Sequence, residues 1–264
     1  MGNEKQQTCQ REERRFKSKF LNNKWTLPKK NEDYSRISSF LNPNWPIELG
    51  FFHRLGFLTQ ALQLIFKNGM EPLRKAILAG QYTENKGLYF GGTQADELEP
   101  HIDQLFSQDL IRYQKIIWID LHTGYGERGQ LHLLANDSRA SSSPLLQKMF
   151  PNKKIDFGDQ KNFYKTDGDM VTYLNLKSTP ARPVLAIAFE YGTMDSQKTL
   201  GSVESLRRMV IENQLYQNGA TDSSAEIEVR RLFKEMFFPQ DENWKLTIFE
   251  QTENTLEPLM ESTP

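Results

Sequence analysis

Acidic and imidazole side chains follow two apolar runs in this sequence, at the points where buried strands would end. Asp120 and His122 come after the run IIWI, residues 116–119, and Glu190 comes after the run VLAIAF, residues 184–189. An imidazole is the side chain that most often binds metals in proteins. A carboxylate beside an activated water can act as a general base. The spacing therefore predicts a hydrolytic centre, provided that both strand ends meet at one edge of a sheet.

Each of these residues also has a purely structural interpretation. A single histidine at a strand end is commonly a hydrogen-bonded residue, and a single glutamate there is commonly a salt-bridge partner. An ionised carboxylate at the end of a buried strand is costly unless a cation or hydrogen bonds meet it. Glycines follow both ends, at Gly124, Gly126 and Gly192, and they allow a sharp turn or a close approach of the backbone. This repetition gives the functional interpretation equal standing with the structural one.

Helical patterns alternate with the apolar runs, and the elements that they predict must position these residues. The unbroken apolar runs are typical of strands covered on both faces, and ligands gather at the carboxyl ends of such strands. We expect an α/β fold with a mixed, mostly parallel sheet flanked by helices on both faces. Helices are predicted over residues 52–68, 71–79, 202–217 and 224–237, and another helix starts at Ser143-Pro144. A further helix contains residues 98–106 and follows a capping box at Thr93 and Asp96. Residues 151–169 are predicted to be irregular, and residues 246–249 to form a last short strand.

Composition narrows the classes of protein to which the chain can belong. Its 264 residues have a formal net charge of −1, so electrostatics predicts neither a nucleic-acid partner nor a membrane surface. Cys9 is the only cysteine, which excludes an internal disulfide. The sequence contains neither a signal peptide nor an apolar run long enough to span a membrane, and we expect a cytoplasmic protein. We interpret residues 1–32 as a charged lead-in and residues 33–264 as the α/β domain.

Four segments together resemble one known superfamily. The segments DLHTGYGERG and FEYGT, with GQYTENKGLYFGG upstream and SLRRMVIENQLYQNG downstream, resemble the M14-like zinc carboxypeptidases. The branch that they resemble most is the group of bacterial proteins called DUF2817. The resemblance runs from about Asn31 to about Trp244, and it implies a mixed sheet sandwiched by helices.

The resemblance also implies roles for individual residues. His122 matches the third zinc ligand of the superfamily, Asp120 would lie behind it as an orienting group, and Glu190 matches the catalytic glutamate. Zinc would be the cofactor, and the substrate would be a small peptide or acyl-amino acid whose amide bond is cut. Arg128, in the glycine-rich loop, could bind a substrate carboxylate through its fork of donors, or it could simply be solvated.

The sequence departs from the superfamily at its amino-terminal half. The His-x-x-Glu motif that supplies the first two zinc ligands occurs nowhere in the chain, and the Asn-Arg pair that holds a substrate carboxylate is also missing. We therefore expect an incomplete domain, either a fragment of a longer product or a relative that has lost the site. Glu97 with His101, or His132, could replace the missing ligands, although each also has an ordinary structural interpretation. The resemblance therefore leads us to expect a zinc-dependent amide hydrolase with impaired activity or, alternatively, a non-catalytic remnant acting at most as a binding module.

Overall fold

A computed structural model of the chain describes residues 30–94, 97–135, 144–151, 153–157 and 169–261. These residues fold into two compact units. One unit contains Thr193–Gln240 and the described part of Leu27–Thr93, and the other contains the described parts of Gln94–Gly192 and Asp241–Pro264. Residues 1–29 of the predicted lead-in lie outside the described residues, so the division of the chain at residue 32 stays a prediction.

Helices and strands alternate through the described residues. In chain order they are α1 (Glu32–Leu41), α2 (Phe51–Asn68), α3 (Met70–Leu78), α4 (Glu99–Gln108), β1 (Ile116–Gly124), β2 (Leu131–Ala135), α5 (Pro144–Met149), β3 (Ile155–Phe157), α6 (Met170–Asn175), β4 (Val184–Gly192), α7 (Thr199–Asn218), α8 (Ser223–Phe237) and α9 (Glu242–Glu261).

The four strands form one sheet in the order β1-β4-β2-β3. Strands β1 and β4 are parallel and pair over nine consecutive residues, from Ile116 with Val184 to Gly124 with Gly192. Strand β2 runs antiparallel to β4 and parallel to β3. The mixed, mostly parallel sheet that the sequence predicted is therefore confirmed.

Apolar side chains from alternate positions of β4 cover the two faces of this sheet. Phe189 and its neighbours on one face pack against α5 and α9, where Trp244 is almost fully buried. Val184 and Ala186, on the other face, pack against α4 and α6, which contribute Phe106 and Tyr173. Burying one large apolar side chain stabilises a fold by about 1.5–3 kcal/mol. The two helical layers account for the unbroken apolar sequence of β4, because all of its nine residues except the partly buried Ala188 are buried.

The other unit is helical, and α7 forms part of its core. Its core residues come from α1, α2, α3, α7 and α8, and from Leu88 in the segment between α3 and α4. Asn31 caps α1 and Asp222 caps α8, each accepting a hydrogen bond from a backbone N–H three residues later. Helix α2 buries Phe57 and Ala61 but leaves Phe52 and Phe66 exposed, at 84% and 96%. The helix has apolar residues on more than one face. The spacing of Phe52, Leu55, Leu62 and Phe66 predicted the helix, and these four side chains lie exposed.

Several predicted elements differ from the observed ones. The predicted strand at 246–249 is wrong, because these residues belong to α9, whose Ile248 and Leu256 pack on the sheet together with Trp244. The sequence did not predict β2, and β3 interrupts a segment that we expected to be irregular. A capping box at Thr93 and Asp96 would start the helix at residue 94, but α4 begins at Glu99. Asp96 itself lies outside the described residues.

Within the described part of the chain, no helix combines the length and the apolar character that crossing a membrane requires.

Candidate functional site

The parallel pairing of β1 with β4 brings His122 level with Glu190. Neighbouring strands lie about 4.8 Å apart, and paired residues project to the same side of a sheet. Asp120 pairs with Ala188 one step earlier on this side. The sequence led us to expect an imidazole and a carboxylate side by side at the carboxyl end of the sheet, and the structure has this arrangement. The roles assigned to the two side chains remain predictions.

Asp120 and His122 form a hydrogen-bonded pair along β1. Nε2 of His122 lies 2.7 Å from Oδ2 of Asp120, and the His122 side chain is 33% exposed. Burial by itself lowers the pKa of His122, but the hydrogen bond and the charge of Asp120, with the charge of Glu190, outweigh burial and raise this pKa above its ordinary value. The pair therefore favours a protonated imidazole that can donate a hydrogen bond.

Glu190 is buried at the end of β4. Burial raises its pKa to about 7, while the backbone N–H of Tyr125 and the charge of His122 act in the opposite direction. That N–H donates to Oε1 of Glu190 over 2.9 Å. A carboxyl group with a pKa near neutrality can both take and return a proton at physiological pH, so Glu190 has the acid–base property that a general base needs.

The loop after β1 turns back across the end of β4. Gly124 and Gly126 have φ angles of 132° and 108°, which favour glycine. Gly192 lies so close to this loop that an added Cβ atom would be 1.8 Å from the carbonyl oxygen of Glu127. The N–H of Gly129 donates to the carbonyl oxygen of Gly192 over 2.9 Å. The glycines that follow the two strand ends thus allow the backbones of the two segments to touch.

His132 occupies the other side of Glu190. It lies on β2, whose antiparallel register pairs it with Glu190. Each of the two strands beside β4 therefore carries a histidine level with Glu190. The backbone N–H of Glu127 donates to Nε2 of His132 over 3.2 Å. The sequence identified His132 as a residue able to approach this edge, but it did not predict the strand that places it there.

The remaining residues singled out from the sequence lie outside this row. Nη2 of Arg128 is 3.0 Å from Oδ2 of Asp241, and both side chains are about 40% exposed. Its assignment to a substrate carboxylate is untested. Glu97 precedes the first residue of α4, whereas the exposed His101 lies within the helix, so the two do not share one face of a helix.

The described residues do not by themselves match the ligand set of a catalytic zinc ion. Catalytic zinc sites usually use three protein ligands. No group of three or more His, Cys, Asp or Glu side chains is placed to hold a metal in the part of the chain that the structure describes. The observed contacts instead have the Nε2 atom of His122 bonded to Asp120 and the Nε2 atom of His132 bonded to the loop.

Comparison with known proteins places the chain in a family. The family model described as "Protein of unknown function (DUF2817)" matches residues 15–251. No curated protein matches the chain, and no solved structure does so either. The matched residues include β1, β4 and the whole of the Asp120, His122 and Glu190 cluster. The match covers most of the sequence, so the chain belongs to the DUF2817 family. This is the family that the segments around the two strand ends resemble.

Proposed function

We propose that this chain is an amide hydrolase that resembles the zinc carboxypeptidases, with its reaction centre where β1 and β4 end. The observation that supports the proposal most strongly is the register of His122 with Glu190, together with the hydrogen bond that Asp120 makes to the same imidazole. The substrate class is a small peptide or an acyl-amino acid, as the resemblance to the carboxypeptidases implies.

In this proposal Glu190 is the general base. Its carboxylate takes a proton from a water molecule, the water oxygen bonds to the acyl carbon, and the carbon–nitrogen bond then breaks. Glu190 passes the proton to the leaving nitrogen, so that an acid and an amine are released. The raised pKa of His122 favours the protonated imidazole, and a charged donor stabilises negative charge that develops on the acyl oxygen. Asp120 keeps that imidazole oriented.

Arg128 is our candidate for binding the carboxylate of the substrate. Its guanidinium group has five N–H donors, and Asp241 engages one of its nitrogens at the surface. A substrate carboxylate would compete with Asp241 or share the fork. We expect Arg128→Met to raise KM for acyl-amino acids and to leave KM unchanged for the corresponding amides, which lack the carboxylate. An equal rise in KM for both substrates would contradict this role.

A second candidate function is a binding module without turnover. The observation that favours it is the lack, among the described residues, of a group of three side chains placed to hold a metal. Such a module would bind a peptide or acyl-amino acid at the same edge of the sheet and would release no amine. We expect no amine release from any of the test substrates in that case.

One set of assays distinguishes these functions. The purified chain is analysed for metal and tested on N-acyl amino acids and blocked dipeptides, with amine release as the readout. The variants are Glu190→Gln, whose amide oxygen still accepts the Tyr125 N–H, and Glu253→Gln as a matched control on the exposed side of α9. We expect Glu190→Gln to lose about 100-fold or more in kcat, as removal of a general base does, and the control to match wild type. Activity in Glu190→Gln equal to that of wild type would refute the hydrolase proposal. Binding of these substrates without amine release, by wild type and both variants alike, would support the binding module.

A further inference from the structure

The loop segment from Tyr125 to Glu127 lies between the candidate base and His132. At one end the N–H of Tyr125 donates to Glu190 over 2.9 Å. At the other end the N–H of Glu127 donates to Nε2 of His132 over 3.2 Å. His132 and Glu190 are paired residues of β2 and β4, so the sheet fixes the spacing of the two acceptors that this short segment joins.

The ring of His132 also contacts the middle of the segment. A Cβ atom added at Gly126 would lie 2.3 Å from both Cδ2 and Nε2 of His132, so the backbone at this position rests against the imidazole. The ring of Tyr125 meets the ring of His132 edge-on, with 6.1 Å between their centroids. One imidazole thus has a contact with each of the three residues in the segment.

We propose that His132 is a positioning residue, which seats the segment from Tyr125 to Glu127 so that the Tyr125 N–H meets Glu190. The inference rests on the proposed function, in which Glu190 is the general base. A hydrogen bond donated to a carboxylate favours its charged form, and the charged form is the one that takes a proton from water. His132 itself touches neither the substrate nor the reacting atoms in this proposal.

Accepting the Glu127 N–H requires that Nε2 of His132 carry no proton. Three charged groups face the imidazole: Asp156 on β3, Lys154 just before β3, and Glu127 in the loop. Burial lowers the pKa of His132, and Lys154 lowers it further, against the opposing effects of Asp156 and Glu127. The imidazole is therefore neutral at neutral pH, with its proton on Nδ1 and its Nε2 lone pair available to the loop.

Residue-resolved amide exchange, followed by NMR, tests this inference without a substrate. His132→Leu removes the acceptor at similar volume, whereas His132→Gln places an amide oxygen near the position of Nε2. Gly126→Ala disturbs the same contact with the histidine unchanged. Gly56→Ala is the matched glycine control, because a Cβ atom added there meets no other atom within 4 Å.

We expect the amides of Tyr125 and Glu127 to exchange about fivefold faster in His132→Leu, the change that loss of one hydrogen bond produces. We expect the same in Gly126→Ala, and rates near those of wild type in His132→Gln and Gly56→Ala.

Unchanged exchange at Tyr125 in His132→Leu would overturn the inference. So would faster exchange spread along all of β4, which indicates loss of general stability, or a His132→Gln variant that behaves like the leucine variant. If the wild-type chain turns over substrate, His132→Leu lowers kcat about fivefold with KM unchanged. If the wild-type chain shows no turnover, the hydrolase proposal fails, and the exchange data still decide whether His132 positions the loop.

Discussion

Replacing Glu190 with glutamine should stabilise the protein at neutral pH while it removes activity. The pKa of Glu190 rises from 4.5 to about 7 in the folded chain, chiefly because the carboxyl group is buried. Since the folded pKa lies above the unfolded pKa, the folded state binds this proton more tightly than the unfolded state does. The contribution of Glu190 to stability is therefore fully present below about pH 4.5 and is lost as the pH rises to about 7.

The size of the effect follows from the same values. Each pKa unit corresponds to about 1.4 kcal/mol, so ionisation of Glu190 costs the folded protein about 3 kcal/mol above pH 7. Glutamine has a similar shape, keeps an acceptor for the Tyr125 N–H and does not ionise. The gain is reduced by whatever stabilisation the carboxylate gives to protonated His122. We expect Glu190→Gln to be more stable than wild type by roughly 2–3 kcal/mol at pH 8 and nearly equal to it at pH 4.

Urea unfolding of metal-free protein, measured at half-unit steps between pH 4 and pH 8, provides the assay. The free energy of unfolding of the variant minus that of wild type should increase between pH 4.5 and pH 7 and stay constant above pH 7. Glu253→Gln, whose side chain is exposed on α9, should give a curve parallel to wild type. A Glu190→Gln curve that is also parallel to wild type, or that lies below it at pH 8, would show that the buried carboxyl group is not the group that we describe.

Other predictions concern the two glycine-rich strand ends and the Asp120 and His122 pair. Gly192→Ala should destabilise the chain by about 3 kcal/mol or more, because its Cβ would lie 1.8 Å from the backbone oxygen of Glu127; urea unfolding should show no comparable loss for Gly56→Ala. Asp120→Asn should lower the pKa of His122 relative to wild type, since burial is then opposed only by the charge of Glu190, and an imidazole pKa equal to that of wild type in an NMR titration would contradict the account. The same pair should contribute stability that is fully present below pH 6.5 and is lost as the pH rises through the raised pKa of His122, so the difference in unfolding free energy between wild type and Asp120→Asn should shrink with rising pH.

The adjacency of His122 and Glu190 was predictable because both lie at the ends of apolar runs. An unbroken run such as VLAIAF indicates a strand buried on both faces, and β1 and β4 pair in parallel over their full length. The polar residues that follow two such runs then share one edge of the sheet, and the register brings His122 level with Glu190. The place of His132 was not predictable in this way, since it depends on β2, a five-residue strand that runs antiparallel to β4.

Two features that local sequence did not decide lie in apolar segments with more than one solution. The segment LTIF is as compatible with a strand as with a helix by composition, and only the packing of Trp244, Ile248 and Leu259 along α9 selects the helix. In α2 the spacing of Phe52 and Phe66 correctly indicates a helix but selects the exposed face. In both cases the deciding contacts are tertiary, and local sequence does not encode them.

The close approach between Gly192 and Glu127 determines which substitutions each of these two positions tolerates. The contact is made by main-chain atoms of Glu127, so the fold constrains the path of the chain at position 127 and not the identity of its side chain. In a saturation-mutagenesis library scored for folded protein, position 192 should accept glycine alone, whereas position 127 should accept most residues that retain a backbone N–H, with proline excluded.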